Sequence, residues 1–265
     1  MDLADHAKKF GILYLAGAIL IGCVIVALAI LSKQPKSGGG METDERVALN
    51  HKKGHDKDPD KVQLWEGGPY WADRNIGAKN PWDYGYYFWW GDTIGYKRVN
   101  DAWVASDGSS RNFSFRDTST DDKNIDKLKS EGWITKDGVL APEHDAAHVH
   151  WGGNWRMPTQ QELKDLCEKC DWEWKTVHGV KGYVVRGRSD YASAGIFLPC
   201  AGYGSWTSLH EAGSDGYYWS SVPDSDDEDD LDALSLFFLN ANGPVTDSDT
   251  RNEGQSVRPV QGFTK

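Results

Sequence analysis

The densest grouping of ligating and proton-carrying side chains is Glu143-His144-Asp145, followed by His148-x-His150. Imidazoles and carboxylates this close are the material of metal sites and of acid–base chemistry. His148 and His150 would share a face if the segment were extended. No third ligand stands beside them, so the alternative reading is a polar loop. Cys167-x-x-Cys170 has the inner spacing of a zinc half-site, but it lacks a second Cys pair or a nearby His pair. Two thiols on one helix face is the competing reading. Outside the apolar N-terminus the cysteines are Cys167, Cys170 and Cys200, an odd number with room for one bridge and no disulfide framework. The acids between Asp224 and Asp232 do not follow the spacing of an EF-hand loop, with its central Gly and terminal Glu. G-x-S-x-G, P-loop and G-x-G-x-x-G patterns are absent. The residues therefore point to no catalytic set, no metal and no cofactor.

The elements that must position any site come in three parts, 1–36, 37–61 and 62–265. Phe10 to Leu31 carries no charged residue. As a helix rising about 1.5 Å per residue it would span roughly 33 Å, enough for a bilayer core. Lysines flank both ends, so charge barely fixes its orientation. The sequence predicts an N-terminal transmembrane helix with the remainder displayed at the cell surface. Two alternatives stay open: a signal peptide cut near Ala27-Leu28-Ala29, and lipidation of Cys23 within Leu20-Ile21-Gly22-Cys23. Ser37-Gly38-Gly39-Gly40 before Met41 also reads as a fusion junction, with Met41 an original start. The polar stretch up to Lys61 reads as a flexible linker.

Net charge is −11, of which residues 1–40 contribute +2, leaving −13 for the rest. Such a domain repels phosphate backbones, which disfavours nucleic acid and suits a basic ligand. The chain has 29 Gly, 13 Trp and 11 Tyr, a mixture that suits a compact, loop-rich domain with aromatic side chains filling gaps between turns. The apolar runs after Val62 are short and broken by Gly, Asp and Asn, which predicts short strands. One helix is well marked. Thr159-Gln160-Gln161-Glu162 is a capping box, and Leu163, Leu166, Cys167 and Cys170 recur along one helical face. A second helix is expected from Asn124 to Glu131. The segments near Val62–Tyr70 and Val257–Val260 are expected in one sheet. Arg258 and Trp219 are expected to be scaffold, Arg258 surviving in an apolar strand by pairing or hydrogen bonding.

Five segments taken in order carry a family likeness: Tyr70-Trp71-Ala72-Asp73-Arg74-Asn75-Ile76-Gly77-Ala78, Trp89-Trp90-Gly91-Asp92, Gly153-Asn154-Trp155-Arg156-Met157-Pro158-Thr159, Gly216-Tyr217-Tyr218-Trp219-Ser220-Ser221 and Ser256-Val257-Arg258-Pro259-Val260. They resemble bacterial proteins of the C-type-lectin fold, on the branch related to formylglycine-generating enzymes. The resemblance implies an α+β domain of short mixed strands, one or two helices and long loops. Within that branch the region of about 200–258 looks like that of a variable protein of a diversity-generating retroelement. There an error-prone copy, made at template adenines, replaces the C-terminal coding region. Ser205, His210, Asp215, Tyr217, Asp224, Asp226, Asp227, Asp229, Asp230, Ser235, Phe237, Leu239, Pro244, Asp247 and Asp249 are residues that such copying of Asn codons yields. Trp206, Glu211, Glu228 and Glu253 are not, and need another origin.

The resemblance implies a non-enzymatic protein whose ligand site, for a protein or other surface ligand, comprises those fifteen positions and Trp206. Strand alternation adds to it. Leu234, Leu236 and Phe238 would share the buried face of one strand, leaving Ser235, Phe237 and Leu239 on the other. Trp206, Tyr217, Phe237 and Leu239 are expected on one solvent-facing patch, rimmed by Asp224 to Asp232 and by Asp247 to Asp249. Two other functions remain. One is a calcium-dependent sugar-binding lectin that uses Asp224 to Asp232. The other is a cysteine-oxidising enzyme of the formylglycine-generating type, whose catalytic pattern does not map onto Cys167, Cys170 or Cys200.

Overall fold

The computed structural model describes residues 59–109, 120, 122–225 and 231–262. The apolar stretch 10–31, Cys23, the linker up to residue 58, and Asp226, Asp227, Asp229 and Asp230 lie outside the described residues.

Short apolar runs between turn residues give short strands. The chain opens with β1 (Lys61–Gln63), β2 (Tyr70–Ala72), β3 (Tyr87–Phe88), β4 (Tyr96–Val99) and β5 (Ala102–Ala105). Three helices follow: α1 (Ile125–Ser130), α2 (Ala146–Trp151) and α3 (Gln160–Lys169). Strands then resume with β6 (Asp171–Val177), β7 (Val180–Arg186), β8 (Gly195–Pro199), β9 (Tyr203–Ser205) and β10 (Ser208–His210). The chain closes with β11 (Asp215–Pro223), β12 (Asp232–Leu239), β13 (Pro244–Thr250), β14 (Gln255–Ser256) and β15 (Val260–Gln261).

This corrects the expected α+β, C-type-lectin architecture behind a transmembrane helix. The described residues are mostly β-strand with few helices, and no helix among them is long and apolar enough to cross a membrane. The physical reason lies in the pattern: apolar residues recur with helical spacing only in brief stretches, and two of the three α-helices have six residues. Elsewhere β-branched and aromatic residues run in strands bounded by glycines.

Helix α3 forms where its capping box lies. The Thr159 hydroxyl accepts from Glu162 N at 3.2 Å, and the Glu162 carboxylate accepts from Thr159 N at 2.9 Å. Arg156 clasps the same carboxylate with two bonds of 2.7 and 2.6 Å. Helix α1 is capped by Asn124, which accepts from Lys127 N. Strands β1, β2 and β15 make one antiparallel sheet in which Trp71 faces both Val62 and Val260. The two ends of the described domain therefore meet, as the sequence leads one to expect.

A seven-stranded sheet in the order β13-β12-β11-β14-β3-β4-β5 carries the rest, and β6-β7-β8 form a separate antiparallel sheet. Alternation along β11 and β12 divides two cores between the faces of the large sheet. Tyr218, Leu236 and Phe238 join one core with Leu163 and Leu166 of α3 and with Tyr183, Val185, Ile196 and Leu198 of β7 and β8. Trp219 and Ala233 join the other, with Phe88, Trp90, Leu128 of α1 and Ala146 and Ala147 of α2. Trp219 is fully buried and donates its indole N–H to Phe88 O at 2.9 Å.

Arg258 is 1% exposed. Its Nε donates to Asn75 Oδ1 at 2.9 Å, one terminal nitrogen to Ala72 O and Asp73 O at 3.2 Å each, and the other to Phe197 O at 2.8 Å. Hydrogen bonding to carbonyl dipoles rather than one close ion pair is what makes this buried charge tolerable.

Candidate functional site

Among the described residues, the core around Trp219 covers one end of the second face of the large sheet, and the other end carries half-buried and exposed side chains. Register places Tyr217 opposite Phe237, Phe237 opposite Val245, Asp215 opposite Leu239, and Ala233 opposite Asp249. Residues paired across strands point to the same face, so Asp215, Tyr217, Phe237, Leu239, Val245, Asp247 and Asp249 share it. Leu239 is 40% and Val245 49% exposed.

An aromatic row crosses the open end. Tyr217 stacks on Phe237 with centroids 6.0 Å apart. Tyr203 of β9 meets Tyr217 edge-on at 4.9 Å and stacks on His210 of β10 at 5.3 Å. The β9–β10 hairpin is fixed by backbone pairing. Gly202 bridges to Gly216, and Gly204 bridges to Gly254 through two bonds of 2.7 Å. These glycines admit the close approach: a Cβ on Gly202 would lie 2.0 Å from His210 O, and Gly202 has φ +64°. Tyr203 is thereby held between β11 and the turn that carries Glu253.

Carboxylates line this row. The Tyr217 hydroxyl donates to Glu211 Oε2 at 2.8 Å. Burial pushes the Glu211 carboxyl up and, first among several causes, pushes the Tyr203 and Tyr217 hydroxyls well above their ordinary range. Asp249 accepts from Thr250 N and from Gln255 Nε2, both at 2.9 Å, and is hydrogen-bonded to Glu253. Burial raises both carboxyls, Asp249 to about 6 and Glu253 to about 9, and repulsion from Asp249 adds to the rise at Glu253. Gln255 is fully buried, and among the described residues neither its Oε1 nor the Oγ of fully buried Ser235 has a hydrogen-bond partner.

Several expected site residues belong elsewhere. Ser235 faces this side but is 0% exposed, because Trp219 and its core cover that end. It is a floor residue, not a contact surface. Pro244 pairs with Phe238 and so lies on the opposite, core-facing side of the sheet, at the start of the edge strand where its missing N–H costs no ladder bond. Trp206 is 58% exposed, but at the tip of the β9–β10 hairpin beside half-buried Ser205. Arg98 of β4 and Trp103 of β5 both donate to Thr207 O there, which ties the tip to the far strands of the sheet. Asp224 begins the loop after β11, its N–H bonded to Asp232 O. Asp215 also has a backbone duty, accepting from Asn240 N at 2.8 Å. Tyr203, Glu211, Glu253 and Gln255 complete the site and were not expected there. The one available signal was Tyr203 bracketed by Gly202 and Gly204, a pattern for close backbone approach.

The remaining chemistry-bearing groups are accounted for by packing. His148 and His150 lie on helix α2, not on a strand, so residues two apart do not share a face. His150 bonds Thr93 O at 2.8 Å and packs against Phe88. His144 stacks on Trp133 at 3.8 Å. Asp145 caps α2 and also accepts from Met157 N at 2.9 Å. Among the described residues no group of three or more His, Cys, Asp or Glu is arranged to hold a metal ion. Cys167, Cys170 and Cys200 are free thiols, each pushed up to about 12 by burial. No protein family, curated protein or solved structure matches the chain.

Proposed function

We propose that the open end of the β11–β12–β13 face is a ligand-binding surface for a protein partner, carried by a scaffold that does not depend on it. The observation that carries this reading is the aromatic row Tyr203–Tyr217–Phe237, extended by exposed Leu239 and Val245 and bordered by Asp215, Asp247 and Asp249. Aromatic anchors within a polar rim are the common anatomy of protein-binding sites. Clustered apolar side chains left in water are costly unless they meet a partner. The acidic rim favours a basic partner and association that slows as salt rises. Thiols near 12 carry no thiolate at neutral pH, which argues against cysteine oxidation.

The positions on this face fall within the region that resembles the variable part of retroelement-diversified proteins. Exchange of those residues over a constant backbone is the mechanism we propose for the breadth of ligands. In the surrounding DNA this requires a near-copy of the region differing at adenines, beside a reverse transcriptase gene.

The direct test is a library of the full chain varied at Tyr217, Phe237, Leu239, Val245 and Asp247, selected against a panel of basic and neutral proteins. Folded members with different preferences are expected, and preference should change with these positions. A library whose members bind nothing, or bind alike whatever stands at these positions, contradicts the reading.

A further inference from the structure

We propose that the cleft between the 77–85 loop and strand β4 binds the phosphate monoester of a small organic molecule. None of its lining residues lies on β11, β12 or β13, so the proposal does not rest on the reading of that face.

The cleft opens where β3 parts from β4. Their pairing is confined to Tyr87 opposite Tyr96, and Tyr86 N turns away to Ile76 O at 2.8 Å. On the β3 side no strand residue then lies opposite Arg98. The bond from Ser106 N to Gly95 O sets the alternation between β4 and β5. By that alternation Lys97 and Val99 bond to β5, and the Arg98 N–H points into the gap. The cavity has a volume of about 280 Å³, close to the lower end of the range for small-molecule sites. Tyr84, fully buried Tyr87 and Leu209 form its apolar wall.

The chain carries −11 overall, yet Lys79, Lys97 and Arg98 gather on this one cleft, with Asp83 as its single carboxylate. Internal pairing does not account for the three cations. Among the described residues none of them forms an ion pair. Lys97 lies over the Tyr86 ring at 5.6 Å. Arg98 lies over the Trp103 ring at 5.3 Å and donates to Thr207 O at 3.0 Å. These contacts hold the guanidinium in place and leave it further N–H groups to donate. Asp83 is spent within its own loop: its Oδ2 accepts from Lys79 N, Asn80 N and Asn80 Nδ2 at 3.1, 2.9 and 3.2 Å.

The cleft therefore has donors to spare and is short of acceptors. Three cations less one carboxylate leave a net +2. A phosphate monoester carries about −1.5 to −2 at neutral pH and three strong acceptor oxygens, so it balances the cleft where a carboxylate would meet only half its charge. Arginine presents a planar fork to two such oxygens, and lysine a compact point charge. The organic group rests on Tyr84, Tyr87 and Leu209.

The probes are phenyl phosphate and glycerol 3-phosphate, with phenol, glycerol and acetate as controls. Each is titrated into the full chain by calorimetry at low salt, while backbone amides are followed by NMR. At least one ester is expected to bind about tenfold more tightly than any control and to shift the Gly85 and Arg98 amides. Its affinity should fall about threefold from pH 7.5 to pH 5.5, because phosphate esters take their second charge at about pH 6 and no histidine lines the cleft. Lys79→Gln and Lys97→Gln, both at exposed positions, should each weaken binding about threefold without lowering the melting temperature. Asp247→Asn, on the open face, should leave binding unchanged. No saturable binding of either ester, acetate binding as tightly as the esters, shifts confined to other parts of the chain, or indifference to both lysine substitutions overturns the proposal. A phosphoserine pentapeptide that binds tenfold more tightly than both esters overturns the assignment to a small molecule. The wild-type arms decide even where a variant fails to fold.

Discussion

Arg258 and the Asp249–Glu253 pair show two responses of a charge to burial. Arg258 keeps its charge, although burial draws it down to about 10, because four acceptors surround it. Arg258→Ala leaves those acceptors in the core without a donor and is expected to cost about 2–4 kcal/mol. A lowered urea midpoint with unchanged slope would show it; an unchanged midpoint would refute it. The acid pair instead keeps a proton. Its folded pKa values, about 6 and about 9, exceed those of ordinary carboxyls, so the protonated form favours folding. That contribution is complete below about pH 4 and is lost as pH rises through 6 and then 9. The melting temperature should therefore fall between pH 5 and pH 9, and Glu253→Gln should flatten that fall. A melting temperature that rises over this window contradicts the assignment. Arg258 was legible in the sequence because a lone charge in an apolar run must be satisfied, although it lies in the link between β14 and β15 and not in a strand as expected. The acid pair was not, because its proximity depends on a turn returning Glu253 to β13.

At the scale of elements, β12 and α3 were the most readable. Leu236 and Phe238 are buried, Phe237 is half-buried and Leu239 exposed, as period-two alternation requires. Phe238→Ala should cost about 3–5 kcal/mol, whereas Phe237→Ala should cost about 1 kcal/mol, since only the first opens a core cavity. Comparable losses in urea melts would mean that both faces of β12 are buried. The capping box of α3 makes Thr159→Ala worth about 1 kcal/mol; helix content and midpoint together would report it. Alternation gives the side of a strand but not what covers that side: Ser235 lies on the expected side, yet under the second core. Pro244, expected from the substitution pattern alone, lies on the core-facing side. The β9–β10 hairpin was unreadable for a related reason: its position rests on Gly–Gly backbone bridges, which leave no side-chain pattern.

For the whole molecule, the open face is one end of a surface whose other end closes over the Trp219 core. Its edge strand β13 carries the exposed charge of Asp247, a placement that also discourages sheet-to-sheet pairing. The overall architecture was only partly legible. Short strands, the capped helix and the meeting of the domain's ends follow from local pattern, whereas the predominance of strand over helix depended on long-range pairing. The central claim is that this face is free for a ligand because folding does not need it. The most direct measurement is urea unfolding of a chain in which Tyr217, Phe237, Leu239, Val245 and Asp247 are all replaced by Ser. A single cooperative transition with the same slope and a modestly lower midpoint is predicted, since the slope tracks the area buried in folding. A broad transition or a collapsed slope would show that the face belongs to the core.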